Sequence, residues 1–133
     1  MNFLKKFWIV VSLTMALPSH AEWTFVASMS KPKIAKFYVD DRTIKRNAKY
    51  TYYWLLTDYA EQQEGQPPYR SAKTYYEADC NVPMKMRGIV YHLYTGQRGD
   101  GTSDTAKPNA PDWEFPAPDT VGEAHLEFAC NFE

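Results

Sequence analysis

Glu77 and Asp79 stand two positions apart in a stretch that alternates like a strand, so both carboxylates face one side of it. A close carboxylate pair raises one pKa and can divide the roles of acid and base. The same alternation describes an ordinary solvated face, and no cleft is predicted around the pair. His92 and His125 could begin a metal site, yet neither belongs to a ligand spacing such as H-x-x-x-H, and structural or surface roles are expected for both. Gly99 to Asp104 supplies oxygens and turns without the acidic order or closing glutamate of an EF-hand, so a plain turn is expected there. No nucleophile and base pair, no metal site and no phosphate loop is legible, which assigns no catalytic residue, no cofactor and no enzyme activity. Arg42, Lys45, Arg46 and Lys49 form a basic cluster that could face an acidic partner or an anionic surface.

Whatever these residues do, they do it outside the cytoplasm. Lys5 and Lys6 precede an apolar run from Phe7 to Leu17, and Ser19, His20 and Ala21 place small residues where a signal peptidase inspects them. Residues 1–21 are thus expected to be an export signal, leaving residues 22–133 as one domain. The run of about eleven residues falls short of the roughly twenty that span a hydrocarbon core, so no membrane span is expected. Loss of Lys5 and Lys6 reduces the basic residues from fifteen to thirteen against sixteen acidic ones, a formal charge of −3. That balance excludes nucleic acid as the partner. The two cysteines, Cys80 and Cys130, suit an oxidising compartment, the periplasm or the cell exterior, and are expected to be bonded. A closed loop of that size contributes roughly 4 kcal/mol in the chain-entropy model.

The elements that must position the candidate residues read as strands followed by one helix. Glu22 to Ser28 alternates, with Trp23, Phe25 and Ala27 on one side. Ile34 to Asp40 sets Ala35, Phe37 and Val39 against Ile34, Lys36 and Tyr38. A short strand could follow at Thr43 to Arg46, and Lys49 to Tyr59 is the longest run of strand formers. Ala60 to Tyr69 is too polar and broken to be buried and is expected to be a surface loop. Arg70 to Cys80 resumes the alternation with Ala72, Thr74, Tyr76, Ala78 and Cys80 inward, and Met84 to Thr95 is a further strand. Gly96 to Asp112 reads as a long loop with room for a short edge strand. Thr120 and Glu123 then form a capping box, and Val121, His125, Phe128 and Phe132 recur at helical spacing, so Phe128 is expected to be buried against the sheet. The fold class is α+β: a small curved antiparallel sheet of about five to six strands with one C-terminal helix pinned by the disulfide.

Aromatic residues are in surplus: ten tyrosines, seven phenylalanines and four tryptophans in 133 residues. One helix covers one face of a sheet, so either the sheet curls around its own core or tyrosines are left on an amphipathic surface. Tyr53, Tyr59 and Tyr75, with Arg42, Lys45 and Arg46 at the rim, are the candidate binding residues, since such rings are enriched at interfaces. The same face could serve a homodimer or dock on an envelope complex.

Trp23, the Phe37 Tyr38 Val39 Asp40 strand with Thr43 Ile44 after it, Trp54 Leu55 Leu56 Thr57 Asp58 Tyr59, Ser71, Asp79 Cys80, Trp113, Pro118 and Cys130 resemble, in that order, the surface-adhesin protein E family. The resemblance covers nearly the whole mature chain. It implies a small antiparallel sheet with a C-terminal helix held by the disulfide, in exported proteins of Gram-negative bacteria whose namesakes bind host matrix proteins at the cell surface. A protein partner, host matrix or envelope, is therefore expected. The chain departs from members held on the outer membrane by a lipid-modified cysteine, because no cysteine follows Ala21 and no lipid anchor is expected. A periplasmic structural or assembly role is the alternative.

Overall fold

The computed structural model describes residues 23–133; the expected export signal lies outside the described residues. Seven strands, β1 (Trp23–Met29), β2 (Ala35–Asp40), β3 (Lys45–Asn47), β4 (Tyr50–Gln63), β5 (Tyr69–Asp79), β6 (Lys85–Tyr94) and β7 (Ser103–Ala106), precede the helix α1 (Val121–Asn131). They form one antiparallel sheet in the order β1-β2-β4-β5-β6-β7. β3 pairs with Tyr50 to Tyr52 of β4 and β2 with Leu55 to Tyr59, so the two lie end to end along one edge of β4. The short β3 and β7 bring the expected five to six strands to seven.

The sequence expectation for Ala60 to Tyr69 is corrected at its start. β4 runs on to Gln63, which pairs with Tyr69, and the turn is confined to residues 64–68. Exposed side chains at Ala60 to Gln62 do not prevent the backbone from continuing as strand.

Register is interrupted three times. In β1 the pairing shifts between Phe25 and Ala27, so Ala27 pairs with Phe37 and Trp23 and Phe25 pair with Asp40 and Tyr38. Ala27 therefore leaves the side of Trp23 and Phe25, a correction that follows from the extra residue a bulge inserts. A second shift falls between Asp58 and Gln63, and a third sets Tyr75 against Val90 but Tyr76 against Gly88.

The helix covers the sheet face formed by Ala35, Phe37, Val39, Tyr53, Leu55, Ala78 and Met86. It contributes Leu126 and Ala129, both 0% exposed, together with buried His125. Approach is close because a Cβ at Gly122 would lie 3.2 Å from both Met86 Cε and Pro116 Cβ. Phe128 is only half-buried, on the flank of the helix with its ring 5.7 Å from that of Phe132. The buried stripe is thus 125, 126 and 129, one step round the helix from the stripe the spacing suggested. Thr120 caps the helix by accepting the Glu123 N–H at 3.3 Å, and the Glu123 carboxylate accepts the N–H of Asp119 at 3.1 Å. The Cys80–Cys130 disulfide is formed, with Cα atoms 5.5 Å apart, inside the range that a bridge requires. It ties the end of β5 to the last turn of α1.

Candidate functional site

Among the described residues, no α-helix lies on the opposite face of the sheet. The turn Gln97–Gly99 folds onto one end, where Asp58 accepts the Arg98 N–H at 3.0 Å and Ser71 Oγ accepts the Gly99 N–H at 2.8 Å. Across the rest runs a ladder of half-buried aromatic rings. β4 and β5 place Trp54 directly opposite Tyr75, and their rings stack at 4.9 Å. Tyr52 stacks on the far side of Tyr75 at 5.8 Å, and His92 of β6 stacks on Trp54 at 5.5 Å, 17° from parallel. Tyr94 follows His92 at 6.4 Å. Adjacent large rings on a pleated face stabilise the sheet by about 0.2 to 1 kcal/mol per pair, so the ladder is also structural.

Cations rest against the rings. Lys73 Nζ lies 5.6 Å from the Trp23 ring and 5.1 Å from the Tyr94 ring. At the other end Arg87 and Lys85 lie 4.2 and 4.7 Å from Trp113, and Trp113 is 5.4 Å from Tyr50. Each such contact is worth about 0.5 to 1 kcal/mol when exposed. On this face Glu77 receives Arg87 Nη2 at 2.6 Å and Nε at 2.8 Å, and also the Tyr52 hydroxyl at 2.6 Å. The hydrogen bond to Glu77 and then burial push Tyr52 up to about 12, so this hydroxyl stays protonated as a donor.

Of the tyrosines expected on the uncovered face, Tyr75 is there and the other two are not. Tyr53 is 0% exposed beneath the helix, with its hydroxyl 2.6 Å from His125 Nδ1. Tyr59 pairs with Ala35, packs against the same core and meets Tyr69 edge-on at 5.8 Å. The reason is the shift between Asp58 and Gln63: β4 spends five residues there and β5 two, so the faces of β4 exchange relative to the hairpin turn. Trp54 and Tyr52 hold the places that Tyr53 and Tyr59 were expected to take. Trp23, Lys73 and Tyr94 also escaped sequence reasoning. The inward parity of Cys80 places Tyr75 outward, but only the pairing with β4 adds Trp54.

The basic cluster is also dispersed. Arg42 lies 3.7 Å from the Asp40 carboxylate. Lys45 pairs with Tyr52 and is exposed at the rim of the aromatic face. Arg46 pairs with Thr51 on the helix side and donates to the carbonyls of Cys130 at 3.2 Å and Phe132 at 2.6 Å. It satisfies acceptors that a helix C-terminus leaves open. Glu77 and Asp79 have separate partners: Glu77 is held by Arg87 and Tyr52, while the Asn81 backbone N–H at 3.0 Å lowers the pKa of Asp79. His125 is pushed down to about 4 by burial, so it is neutral at pH 7, and its Nδ1 is hydrogen-bonded to the Tyr53 hydroxyl at 2.6 Å. His92 Nδ1 lies 2.8 Å from Thr105 Oγ1. Gly96 to Thr102 closes a turn through Gly96 N–H to Asp100 O and Thr95 N–H to Thr102 O. Among the described residues, no group of three or more His, Cys, Asp or Glu side chains could hold a metal ion, and no helix is long and apolar enough to cross a membrane.

The sequence profile of the family described as surface-adhesin protein E matches residues 23–131. No curated protein sequence matches the chain. Among solved structures, Haemophilus influenzae protein E in crystal form II superposes with a TM-score of 0.63 at 15% identity, covering 89% of this chain and 96% of that one. A second structure of Haemophilus influenzae protein E gives 0.61 at 14% identity over 89% and 92% of the two chains. Protein E from non-typeable Haemophilus influenzae gives 0.55 at 15% identity over 89% and 83%. At these identities the likeness is one of fold.

Proposed function

The chain belongs to the surface-adhesin protein E family, and from that membership we propose that it is an exported, non-catalytic binding domain that holds a protein partner against the uncovered aromatic face of its sheet. The domain is residues 22–133, released by cleavage after Ala21. Its partners are host matrix or envelope proteins. One observation carries the reading: Tyr52, Tyr75, Trp54 and His92 form a continuous stacked ladder on the face that α1 leaves uncovered. Rings of this kind offer large rigid area at little cost in entropy, and Trp, Tyr and Arg dominate the energetic centres of interfaces. Cations at Lys73 and Lys45 border the ladder and favour a partner of complementary charge.

The test is a triple variant, Tyr52→Ser, Trp54→Ser and Tyr75→Ser, compared with the parent on surfaces coated with purified matrix proteins and on isolated outer envelopes. The variant should keep the parent's circular dichroism and lose retention. Sedimentation of the parent decides whether the same face joins two copies, since a dimer that the variant dissolves would assign the face to self-association. Retention unchanged in a folded variant would remove the face from the binding function.

A further inference from the structure

One end of the uncovered face dips into a basin of about 300 Å³ walled by Trp23, Trp54, His92 and Tyr94 and lined also by Lys73 and Asp40. The size is at the lower end of small-ligand sites, and aromatic walls with a few polar groups are their usual make-up. Lys73 can only donate, and among the described residues no carboxylate stands within 4 Å of it. Its stem is boxed in by the turn above it, where a Cβ on Gly99 would come within 2.7 Å of Lys73 Cε. The Asp40 carboxylate offers acceptor oxygens. Its Oδ1 takes the Arg42 N–H at 3.2 Å and lies 3.7 Å from Arg42 Nε, which offsets its charge and leaves Oδ2 without a partner among the described residues. His92 uses Nδ1 on Thr105 and keeps Nε2 free of any partner among them.

These groups define a ligand by complement. Lys73 calls for an anionic group, Asp40 Oδ2 for a hydroxyl donor, and the rings for a flat apolar surface. A carboxylate-bearing sugar has all three, because its ring presents C–H faces to aromatic walls while its hydroxyls donate. A simple aliphatic or aromatic acid lacks the hydroxyl donors, and a nucleotide phosphate brings two or more charges to one ammonium beside Asp40. We propose that the basin binds an acidic monosaccharide unit of a glycan, a uronic or sialic acid residue. The proposal rests on the reading of the uncovered face as a binding surface and adds a ligand class to it.

The test titrates the processed full-length domain with a hyaluronan hexasaccharide and with 3′-sialyllactose, against maltohexaose as the neutral control, by calorimetry and tryptophan fluorescence. At least one acidic probe should bind and perturb the fluorescence, and maltohexaose should not. Lys73→Met should weaken that binding at least tenfold. Lys85→Met should leave it within twofold, because Lys85 pairs with Asp79, six positions along β5 from Lys73 and so about 20 Å away. Equal losses in the two variants would mean unspecific charge attraction and would overturn the proposal, as would failure of both acidic probes to bind. Should neither probe bind while the Tyr52, Trp54, Tyr75 variant still loses matrix retention, the sugar site falls and the protein-binding reading stands. Should a probe bind as described while the parent shows no matrix retention, the outcome is the reverse.

Discussion

Acidification should destabilise this domain through one residue, His125. Its ring is buried between the helix and Tyr53, and burial holds it down at about 4 against an ordinary 6.5. Between those two values the unfolded chain binds a proton that the folded chain refuses, so stability rises with pH across that window. The contribution is present above pH 6.5 and is lost as the pH falls toward 4. Worked from the two values, the loss relative to pH 7 is about 2 kcal/mol at pH 5 and about 3 kcal/mol at pH 4. For a domain of this size that is a large fraction of the whole stability. Urea melts followed by tryptophan fluorescence at half-unit steps from pH 4 to 7.5 measure it directly. The comparison is His125→Asn, whose side-chain amide can still hydrogen-bond the Tyr53 hydroxyl but which carries no titrating ring. The variant should be less stable at pH 7 yet lose about 2 kcal/mol less than the parent between pH 7 and 5. Parallel curves for the two proteins would refute the assignment, because the pH dependence would then belong to other groups.

Three further outcomes follow from the packing. Leu126→Ala should cost about 2 to 5 kcal/mol in urea melts as a deletion at a fully buried site, and half-buried Phe128→Ala clearly less; the reverse order would place the wrong stripe of α1 on the sheet. Arg46→Ala should speed amide exchange in the last helical turn and cost about 1 kcal/mol, since two carbonyls lose a charged donor; unchanged exchange at residues 129–131 would show that solvent satisfies them equally well. Replacing Cys80 and Cys130 together by serine should lower stability by about 4 kcal/mol, read from the urea midpoint, because the bridge closes a chain segment of 50 residues; a loss below 1 kcal/mol would mean that the unfolded chain is already compact there.

Much of the fold was legible locally. Alternation located β2, β5 and β6 to within a residue or so, because a half-buried strand must alternate. Thr120 and Glu123 located the start of the helix, because capping chemistry is local. With only two cysteines in the domain, their pairing needed no geometry. The candidate site was a different matter. Period-two patterning says that Tyr53 and Trp54 point opposite ways but not which one points at the helix, and both are aromatic enough for either face.

That choice was made by the register of β4 on β5. Three residues of slip near the hairpin turn exchange the faces of β4, sending Tyr53 to His125 and leaving Trp54 beside Tyr75. A bulge has no sequence signature as firm as a cap, since it is selected by how neighbouring strands and the helix pack. The basic cluster dissolved for a local reason: Lys45 and Arg46 are adjacent in the chain, and adjacent strand residues face opposite sides. Composition and neighbours within a few residues suffice for most of the strands, the helix, the disulfide and the aromatic surplus. Which rings form the core and which form the ladder, and that Trp23, Lys73 and Tyr94 from three strands meet at one basin, depended on long-range pairing and so on the tertiary structure alone.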